Sequence, residues 1–215
     1  MEMAIFITAC AALIAGIANI VMIFEVKEQK RAVSSPALKL IDKNCEAVYK
    51  DNYWEWGGNK SHGIPIELIN FGAGPAFNVS INWFVEMKEL LETIKQFDQK
   101  MEGMLQIGNT FHNTKLQNNK KFHAIPAYDK QDINRLLIPW YYVSAFEKFI
   151  EIEVFNSENE ITFELSAFPR LLAYISYEDI HKNLEKKRFE VIFDINAITS
   201  GDHRNINMVI KIKEL

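Results

Sequence analysis

The first 24 residues constrain this chain more than any other feature. From Met3 to Phe24 the sequence runs 22 residues without a charged side chain. As an α-helix that rises 1.5 Å per residue, this run would be roughly 33 Å long, which is enough to cross a hydrocarbon core of about 30 Å. A secretory signal peptide has a shorter apolar stretch and a basic segment before it, whereas the only charged side chain before this run is the acidic Glu2. We therefore predict an uncleaved transmembrane anchor over residues 1–26.

The charges that follow the run predict its orientation. Lys27, Lys30 and Arg31 come directly after it, and Lys and Arg near the end of a membrane helix tend to stay on the cytoplasmic side. We expect a single-pass membrane protein whose C-terminal part lies in the cytoplasm.

Small residues repeat along the predicted anchor at helical spacing. Such residues let the backbones of two membrane helices approach closely, and an amide within the hydrocarbon favours a polar partner. The predicted self-association face consists of Ala4, Thr8, Ala12, Gly16 and Asn19. We expect a homo-oligomer formed through this helix; the alternative is that small residues are simply common in membrane helices.

Composition excludes several classes of protein. The chain has 24 basic and 28 acidic residues and a formal net charge of −4, whereas a general nucleic-acid binder needs a basic face. Cys10 lies within the apolar run and Cys45 outside it, so no disulfide framework is expected. After a linker over residues 27–36, residues 37–215 have the size of one domain with its own core.

Alternating apolar residues predict that this domain is mainly β. The clearest strand runs from Ala76, with Phe77, Val79, Ile81, Trp83 and Val85 predicted on one buried face. Further strands are expected over 37–41, 47–56, 64–70, 171–180, 189–195 and 206–212. Two more are expected over 150–154 and 161–165, around a polar turn.

Two short helices interrupt these strands. From Met87 the apolar residues follow helical spacing to Met101, and Pro139 opens a second helix through Phe149. An antiparallel β-sandwich with one or two short helices accounts best for this pattern, and a partly closed barrel is the alternative.

Three segments together resemble a group of prokaryotic membrane proteins. They are residues 69–79 (INFGAGPAFNV), the Pro139–Tyr142 helix start, and residues 171–180 with their YEDI ending. In that group an N-terminal membrane helix precedes an immunoglobulin-like β-sandwich, and the last segment resembles a turn between two strands. His181-Lys182-Asn183 stands here where the group often has Phe-Gly-Asn. The architecture is also similar to that of membrane effectors of antiviral signalling systems, in which a small β-domain binds a cyclic nucleotide.

No residue pattern indicates catalysis. The five histidines are scattered without ligand spacing, and no phosphate-binding loop or nucleophile motif occurs. Glu151 and Glu153 could be imagined as an acid and a base, but alternation predicts them on the solvent face of a strand. We expect a protein that is not an enzyme and that needs no metal or cofactor.

Cationic residues give one hypothesis for a ligand site. We expect them in loops between strands, where loops of a sandwich can converge on a ligand such as a phosphate or a base. The candidate binding residues are Lys115, Lys120, Lys121, Lys186, Lys187, Arg188 and Arg204. The alternative is that these charges are simply solvated.

The sequence thus predicts a membrane-anchored binding module that senses a ligand or partner in the cytoplasm and acts through assembly of its helix. One form of this hypothesis is an antiviral defence effector that binds a cyclic nucleotide. A scaffold or accessory subunit that binds a protein partner is the alternative. An enzyme and an exported adhesive domain are the remaining hypotheses.

Overall fold

Ten strands and three helices make up the part of the chain that the structure, a computed structural model, describes. The described residues are 2–50, 53–57, 63–95, 120–127, 134–155, 168–199 and 204–215. The helices are α1 (Glu2–Ser34), α2 (Met87–Lys95) and α3 (Trp140–Phe155). The strands are β1 (Leu38–Ile41), β2 (Lys43–Lys50), β3 (Tyr53–Trp56), β4 (Pro65–Asn70), β5 (Ala76–Val85), β6 (Lys120–Ile125), β7 (Asn134–Leu137), β8 (Leu171–Glu178), β9 (Leu184–Thr199) and β10 (Arg204–Glu214).

The strands form two antiparallel sheets. The smaller sheet has the order β1-β4-β7, and the larger has the order β3-β2-β10-β9-β8-β5-β6 and curls into half a barrel. The prediction of a mainly β, antiparallel, sandwich-like fold is confirmed. The curl of the seven-stranded sheet also gives the fold part of the barrel character that was the alternative.

One hydrophobic core joins both sheets and α3. Leu38 and Ile66 from the smaller sheet are fully buried, as are Ile81 from the larger sheet and Phe146 from α3. The Phe146 ring packs edge-on against Phe193, with 4.5 Å between the ring centroids. Such aromatic pairs add stability beyond the area that they bury, so the dense aromatic segment after Pro139 serves to bind α3 to the sheet.

Strand β5 departs from strict alternation near its start. Phe77 is half-buried, while Ala76 and Val79 are both fully buried. The cause is a bulge, because Phe77 pairs with Glu178 of β8 but Ser80 already pairs with Ser176. Asn78 sits within the bulge with a φ of 49°, a left-handed conformation that Asn adopts more readily than most residues. The prediction that Phe77 lies on the buried face was therefore wrong, whereas Ile81, Trp83 and Val85 were assigned correctly.

Helix α3 extends through residues that were predicted to form a strand. It begins at Trp140, as the proline predicted, but it continues through 150–154 to Phe155. Ile150, Ile152 and Val154 are spaced by two residues, as in a strand. Ile150 and Val154 are also four residues apart, as on one side of a helix, so this spacing fits both structures. The buried positions Tyr142, Phe146, Phe149 and Ile150 follow the helical period and decide the outcome. Residues 161–165, the second predicted strand, lie outside the described residues.

Three other boundaries differ from the prediction. The strand expected over 47–56 is the hairpin of β2 and β3, which pair with Ala47 opposite Trp56. The described part of helix α2 ends at Lys95, and the predicted continuation to Met101 lies outside the described residues. Strand β9 begins at Leu184, five residues before the predicted start.

Helix α1 contains the whole uncharged run and continues through most of the predicted linker to Ser34. Its C-terminal carbonyls are capped by hydroxyls, since Ser34 Oγ donates to Lys30 O at 2.8 Å and Ser35 Oγ to Arg31 O at 2.6 Å. A search of the described residues finds no helix with the length and apolarity of a membrane span.

Candidate functional site at the junction of α1 with the sheets

The surface of α1 is apolar on every side between Leu13 and Phe24. Successive residues of a helix are turned by 100°, so the large apolar side chains of this segment point in all directions around the axis. Each of them is between 50 and 67% exposed: Leu13, Ile14, Ile17, Ile20, Val21, Met22, Ile23 and Phe24. The described part of the chain therefore leaves this helix uncovered.

A buried asparagine ties the end of α1 to the sheets. The side chain of Asn70, at the end of β4, is 1% exposed. Its Oδ1 accepts hydrogen bonds from the backbone N–H of Ala37 at 2.9 Å and of Gly72 at 3.0 Å. Its Nδ2 donates to the carbonyls of Gly74 at 2.8 Å and Ile125 at 3.3 Å. One amide thus joins the loop after β4 to the residue that precedes β1 and to the end of β6.

The glycine-rich loop after Asn70 packs directly against the same junction. A Cβ atom added to Gly74 would lie 1.6 Å from the carbonyl oxygen of Ser34, and one added to Gly72 would lie 2.2 Å from that of Ser35. The Gly74 N–H also approaches Ser35 O at 3.4 Å. Glycine is required here because two backbones touch. The FGAGP segment therefore packs against Ser34, the last residue of α1, and against Ser35 after it.

A second fixed element, the turn between β8 and β9, faces α1. Asp179 is 5% exposed, and its Oδ1 accepts from the N–H groups of His181 at 2.7 Å and Asn183 at 2.9 Å. Its Oδ2 accepts from Asn183 Nδ2 at 2.7 Å. The hydrogen bond from Asn183 is the main cause that lowers the pKa of Asp179 below its usual value. Lys182 completes the turn with a φ of 62°, so the tight turn forms although lysine stands where the resemblance has glycine.

A cavity of about 790 Å³ lies between the last turns of α1 and this turn. Its α1 wall has Met22, Ile23 and Val26 at one end and Lys27, Lys30 and Arg31 at the other, and its other wall has His181 and Asn183. None of the described residues that line it carries a carboxylate. The cavity is thus apolar towards the centre of α1 and cationic towards the sheets.

The predicted cationic ligand residues do not lie in one group of loops. Lys186, Lys187 and Arg188 were expected between strands but belong to β9. Their side chains are partly engaged, since Lys187 pairs with Glu214 at 2.7 Å and the Arg188 guanidinium lies over the Tyr174 ring at 5.6 Å. The prediction of converging loops was wrong for these three residues, because the strand begins earlier than its apolar alternation indicated.

The remaining predicted residues are distributed differently. Lys120 and Lys121 begin β6, and Lys120 donates a hydrogen bond to the carbonyl of Arg135. Arg204 begins β10 opposite Tyr49, but its side chain is outside the description. Lys115 lies outside the described residues altogether.

The sheet nevertheless brings two of these lysines to one face. Lys121 pairs with Ser80, Ser80 with Ser176, and Ser176 with Lys186, so the four residues form one row across β6, β5, β8 and β9. Residues directly opposite one another share a face, and three strand spacings separate the two lysine Cα atoms by about 14 Å. Tyr174 and Arg188 form the next pair on the same face, two residues farther along β8 and β9. We call this surface the outer face.

The predicted self-association stripe is described only in part. Ala12, Gly16 and Asn19 are exposed, and a Cβ atom added to Gly16 would meet nothing within 4 Å. The side chains of Ala4 and Thr8 are outside the description. Self-association therefore stays a prediction.

Two carboxylates meet two indoles beside the core, which the sequence reasoning missed. Trp56 Nε1 donates to Glu147 Oε1 at 2.5 Å, and Trp54 Nε1 donates to Glu151 Oε1 at 3.2 Å. Burial raises the pKa of Glu147 to about 7, with a smaller contribution from the nearby charge of Glu151. The prediction that Glu151 lies on the solvent face of a strand was wrong, because this segment is helical. The signal was the spacing of four between Glu147 and Glu151 within the extended helix.

A second cavity, of about 380 Å³, lies where Phe168 and Pro169 approach β9. Four of the residues that line it are bonded in pairs, since Arg170 Nη1 lies 3.1 Å from Glu190 Oε1 and Tyr142 OH donates to Pro169 O at 2.8 Å. These bonds attach the segment before β8 to α3 through Tyr142 and to β9 through Glu190. In the part of the chain that the structure describes, no group of His, Cys, Asp and Glu side chains could hold a metal ion.

The fold and the junction define a mainly β domain that carries a long N-terminal helix with an uncovered apolar surface. Comparisons with family models, with curated proteins and with solved structures found no match for this chain.

Proposed function

We propose that this protein is a membrane-anchored binding module, with α1 as the anchor and the sheets as the cytoplasmic part that meets a ligand or partner. The observation that carries this proposal is the apolar surface around the whole of α1 from Leu13 to Phe24. Burying a large apolar side chain stabilises a protein by roughly 1.5–3 kcal/mol, and the helix exposes eight of them. A helix that is apolar all round belongs in an apolar medium.

The complete uncharged run supports the same conclusion. It covers 22 residues, of which the side chains up to Ala11 lie outside the description. A bilayer supplies the apolar medium that the described part of the chain does not. The cations Lys27, Lys30 and Arg31 favour the cytoplasmic side for the sheets.

The outer face is the surface that we assign to ligand or partner binding. Lys121 and Lys186 flank the hydroxyls of Ser80 and Ser176, and cations of this kind suit an anionic ligand. A cyclic nucleotide, as in the antiviral effectors that the architecture resembles, is one ligand of this class.

The apolar residues of the same face favour the alternative, a scaffold that binds a protein. Phe84 is 47% exposed and Leu184 60%, and both point outward on the larger sheet. Aromatic and apolar groups of this kind are typical of the centre of protein interfaces. Loss of a co-purified protein in Phe84→Ser with Leu184→Ser, but not in Lys121→Gln with Lys186→Gln, would favour the scaffold.

Fractionation of the full chain tests the anchor. We expect the wild type to stay in the membrane pellet after extraction with alkaline carbonate. Leu13→Arg with Ile17→Arg should release the chain, because each arginine at the centre of a membrane helix costs about 3 kcal/mol. Glu28→Arg with Gln29→Arg is the matched control, since it adds the arginines beyond the run and should leave the chain in the pellet. Release of the wild type would refute the proposal.

Orientation needs a label at an exposed position. Cys45 is 9% exposed and burial raises the pKa of its thiol, so it is a poor target for a thiol reagent. Lys88→Cys on α2 places a thiol at a position whose side chain is 82% exposed. We expect an impermeant maleimide to label it in inverted membrane vesicles and not in intact cells; labelling in intact cells would place the sheets outside.

A further inference from the structure

We propose that the cavity between α1 and the β8–β9 turn binds the phosphate headgroup of an anionic lipid. This inference rests on the membrane anchoring proposed above and names a ligand for the place where the anchor meets the sheets. The cavity holds about 790 Å³ and is lined by the cations Lys27, Lys30 and Arg31 on one side and by His181 on the other.

The cations of α1 line the cavity, and its glutamates do not. Lys27, Lys30 and Arg31 are three and four residues apart, which places them on one side, and this side lines the cavity. Glu25 is turned away from Lys27 by about 160°, and neither Glu25 nor Glu28 is among the residues that line the cavity. The described ion pairs include none of the three cations. Because its lining has three cations from α1 and no carboxylate, the cavity favours an anion.

The second wall is rigid before any ligand binds. The nearest buried carboxylate, that of Asp179, is occupied by the N–H groups of His181 and Asn183 and by the Asn183 amide. These bonds fix the turn and offset the negative charge of the carboxylate. A wall that is already fixed loses little conformational entropy when it binds a ligand.

The depth of the cavity fits a headgroup better than a free anion. If Phe24 marks the edge of the hydrocarbon, Lys27 lies about 4.5 Å and Arg31 about 10 Å beyond it. The headgroup layer of one leaflet is about 5–7 Å thick, so the cations lie in this layer and at its aqueous edge. Met22 and Ile23 line the end of the cavity that faces the hydrocarbon, where they would contact an acyl chain. An amphiphile with an anionic head matches both ends.

Lipid titration of the full chain tests this inference. The chain, purified in a neutral maltoside detergent, is titrated with dioctanoyl phosphatidylglycerol, dioctanoyl phosphatidylcholine and sodium phosphate, and bound lipid is counted by native mass spectrometry. We expect phosphatidylglycerol to bind at least about tenfold more tightly than phosphatidylcholine, since each nearby Lys or Arg strengthens binding of an anionic headgroup about fivefold.

Three sets of variants locate the site. Lys27→Gln, Lys30→Gln and Arg31→Gln together should weaken phosphatidylglycerol binding about 100-fold. The control Lys50→Gln, Lys88→Gln and Lys213→Gln removes the same charge from exposed positions elsewhere and should change it less than about twofold. His181→Ala, on the opposite wall, should also weaken it, which a basic helix acting alone would not require.

Each contrary result overturns the inference in a distinct way. Equal binding of the two lipids, or no effect of the triple variant, would exclude a headgroup site. No effect of His181→Ala would reduce it to a basic segment without a second wall. Sodium phosphate that binds as tightly as phosphatidylglycerol would identify a site for soluble anions. If the wild type stays in the membrane pellet but binds both lipids equally, the headgroup site fails while the anchor stands.

Discussion

Replacing Asn70 with alanine tests whether one buried amide holds the junction together. The change removes four hydrogen bonds and leaves the N–H groups of Ala37 and Gly72 and the carbonyls of Gly74 and Ile125 without their partner. A buried hydrogen bond contributes about 1 kcal/mol net, so we expect the free energy of unfolding to fall by about 4 kcal/mol. For a domain of this size, that lowers the melting temperature by roughly 8–16 °C.

The assay is thermal unfolding of the full chain in neutral detergent, followed by near-ultraviolet circular dichroism of its tryptophans. Asn44→Ala, at an exposed position of β2, is the control and should change stability by less than about 0.5 kcal/mol. Hydrogen exchange should show faster exchange of the amides of Ala37 and Gly72 in the Asn70 variant. A loss no larger than that of the control, with exchange unchanged, would refute this account of the junction.

Three further substitutions test single features of the fold. In a urea titration, Gly74→Ala should lower the free energy of unfolding by at least about 2 kcal/mol, because its Cβ would lie 1.6 Å from a backbone oxygen. Gly63→Ala should lower it less in the same titration, because its Cβ would lie 3.3 Å from a Leu137 side-chain atom. Lys182→Gly should raise the urea midpoint by an amount that corresponds to about 1 kcal/mol, since it relieves a left-handed lysine; an unchanged midpoint would contradict the observed φ. Glu147→Gln should raise stability at pH 8 by up to roughly 3 kcal/mol and leave it unchanged near pH 4.

The sign of the Glu147 effect follows from its raised pKa. The pKa of Glu147 is about 7 in the folded state and has its ordinary value of 4.5 in the unfolded chain, so between these values the folded protein keeps a proton that the unfolded chain has lost. The contribution of the neutral Glu147 carboxyl to the free energy of unfolding is therefore fully present below about pH 4.5 and is lost as the pH rises to about 7. Glutamine stays neutral throughout and can still accept the Trp56 indole N–H. An equal difference between the two proteins at pH 4 and pH 8 would contradict the assignment.

Sequence patterns predicted the fold wherever a long segment followed one period. Over residues 79–85 every second residue is buried, as expected, since seven residues suffice to define a strand with one buried face. The pattern failed at Phe77, because a bulge inserts one residue and reverses the faces before it. It failed again over 150–154, where a five-residue run fits both a helix and a strand. This run continues the helix of Phe146, whose ring packs against Phe193 and Phe168.

The junction could be predicted only in outline. The glycines of the FGAGP segment indicated a break in strand pairing, but that they contact Ser34 and Ser35 depends on residues more than 30 positions away. In the sequence, Lys27, Lys30 and Arg31 indicate only an orientation, because nothing local shows that His181 faces them across a cavity. Contacts between distant segments carry no periodic signal.

Spin-label accessibility along α1 tests the central claim most directly. Nitroxides are attached at Ile17→Cys and, separately, at Lys30→Cys in the full chain with Cys10→Ser, reconstituted into phosphatidylcholine vesicles. If α1 is the anchor, the label at 17 should be relaxed mainly by oxygen, which concentrates in hydrocarbon, and the label at 30 mainly by a water-soluble nickel complex. Relaxation of both labels mainly by the nickel complex would contradict the account.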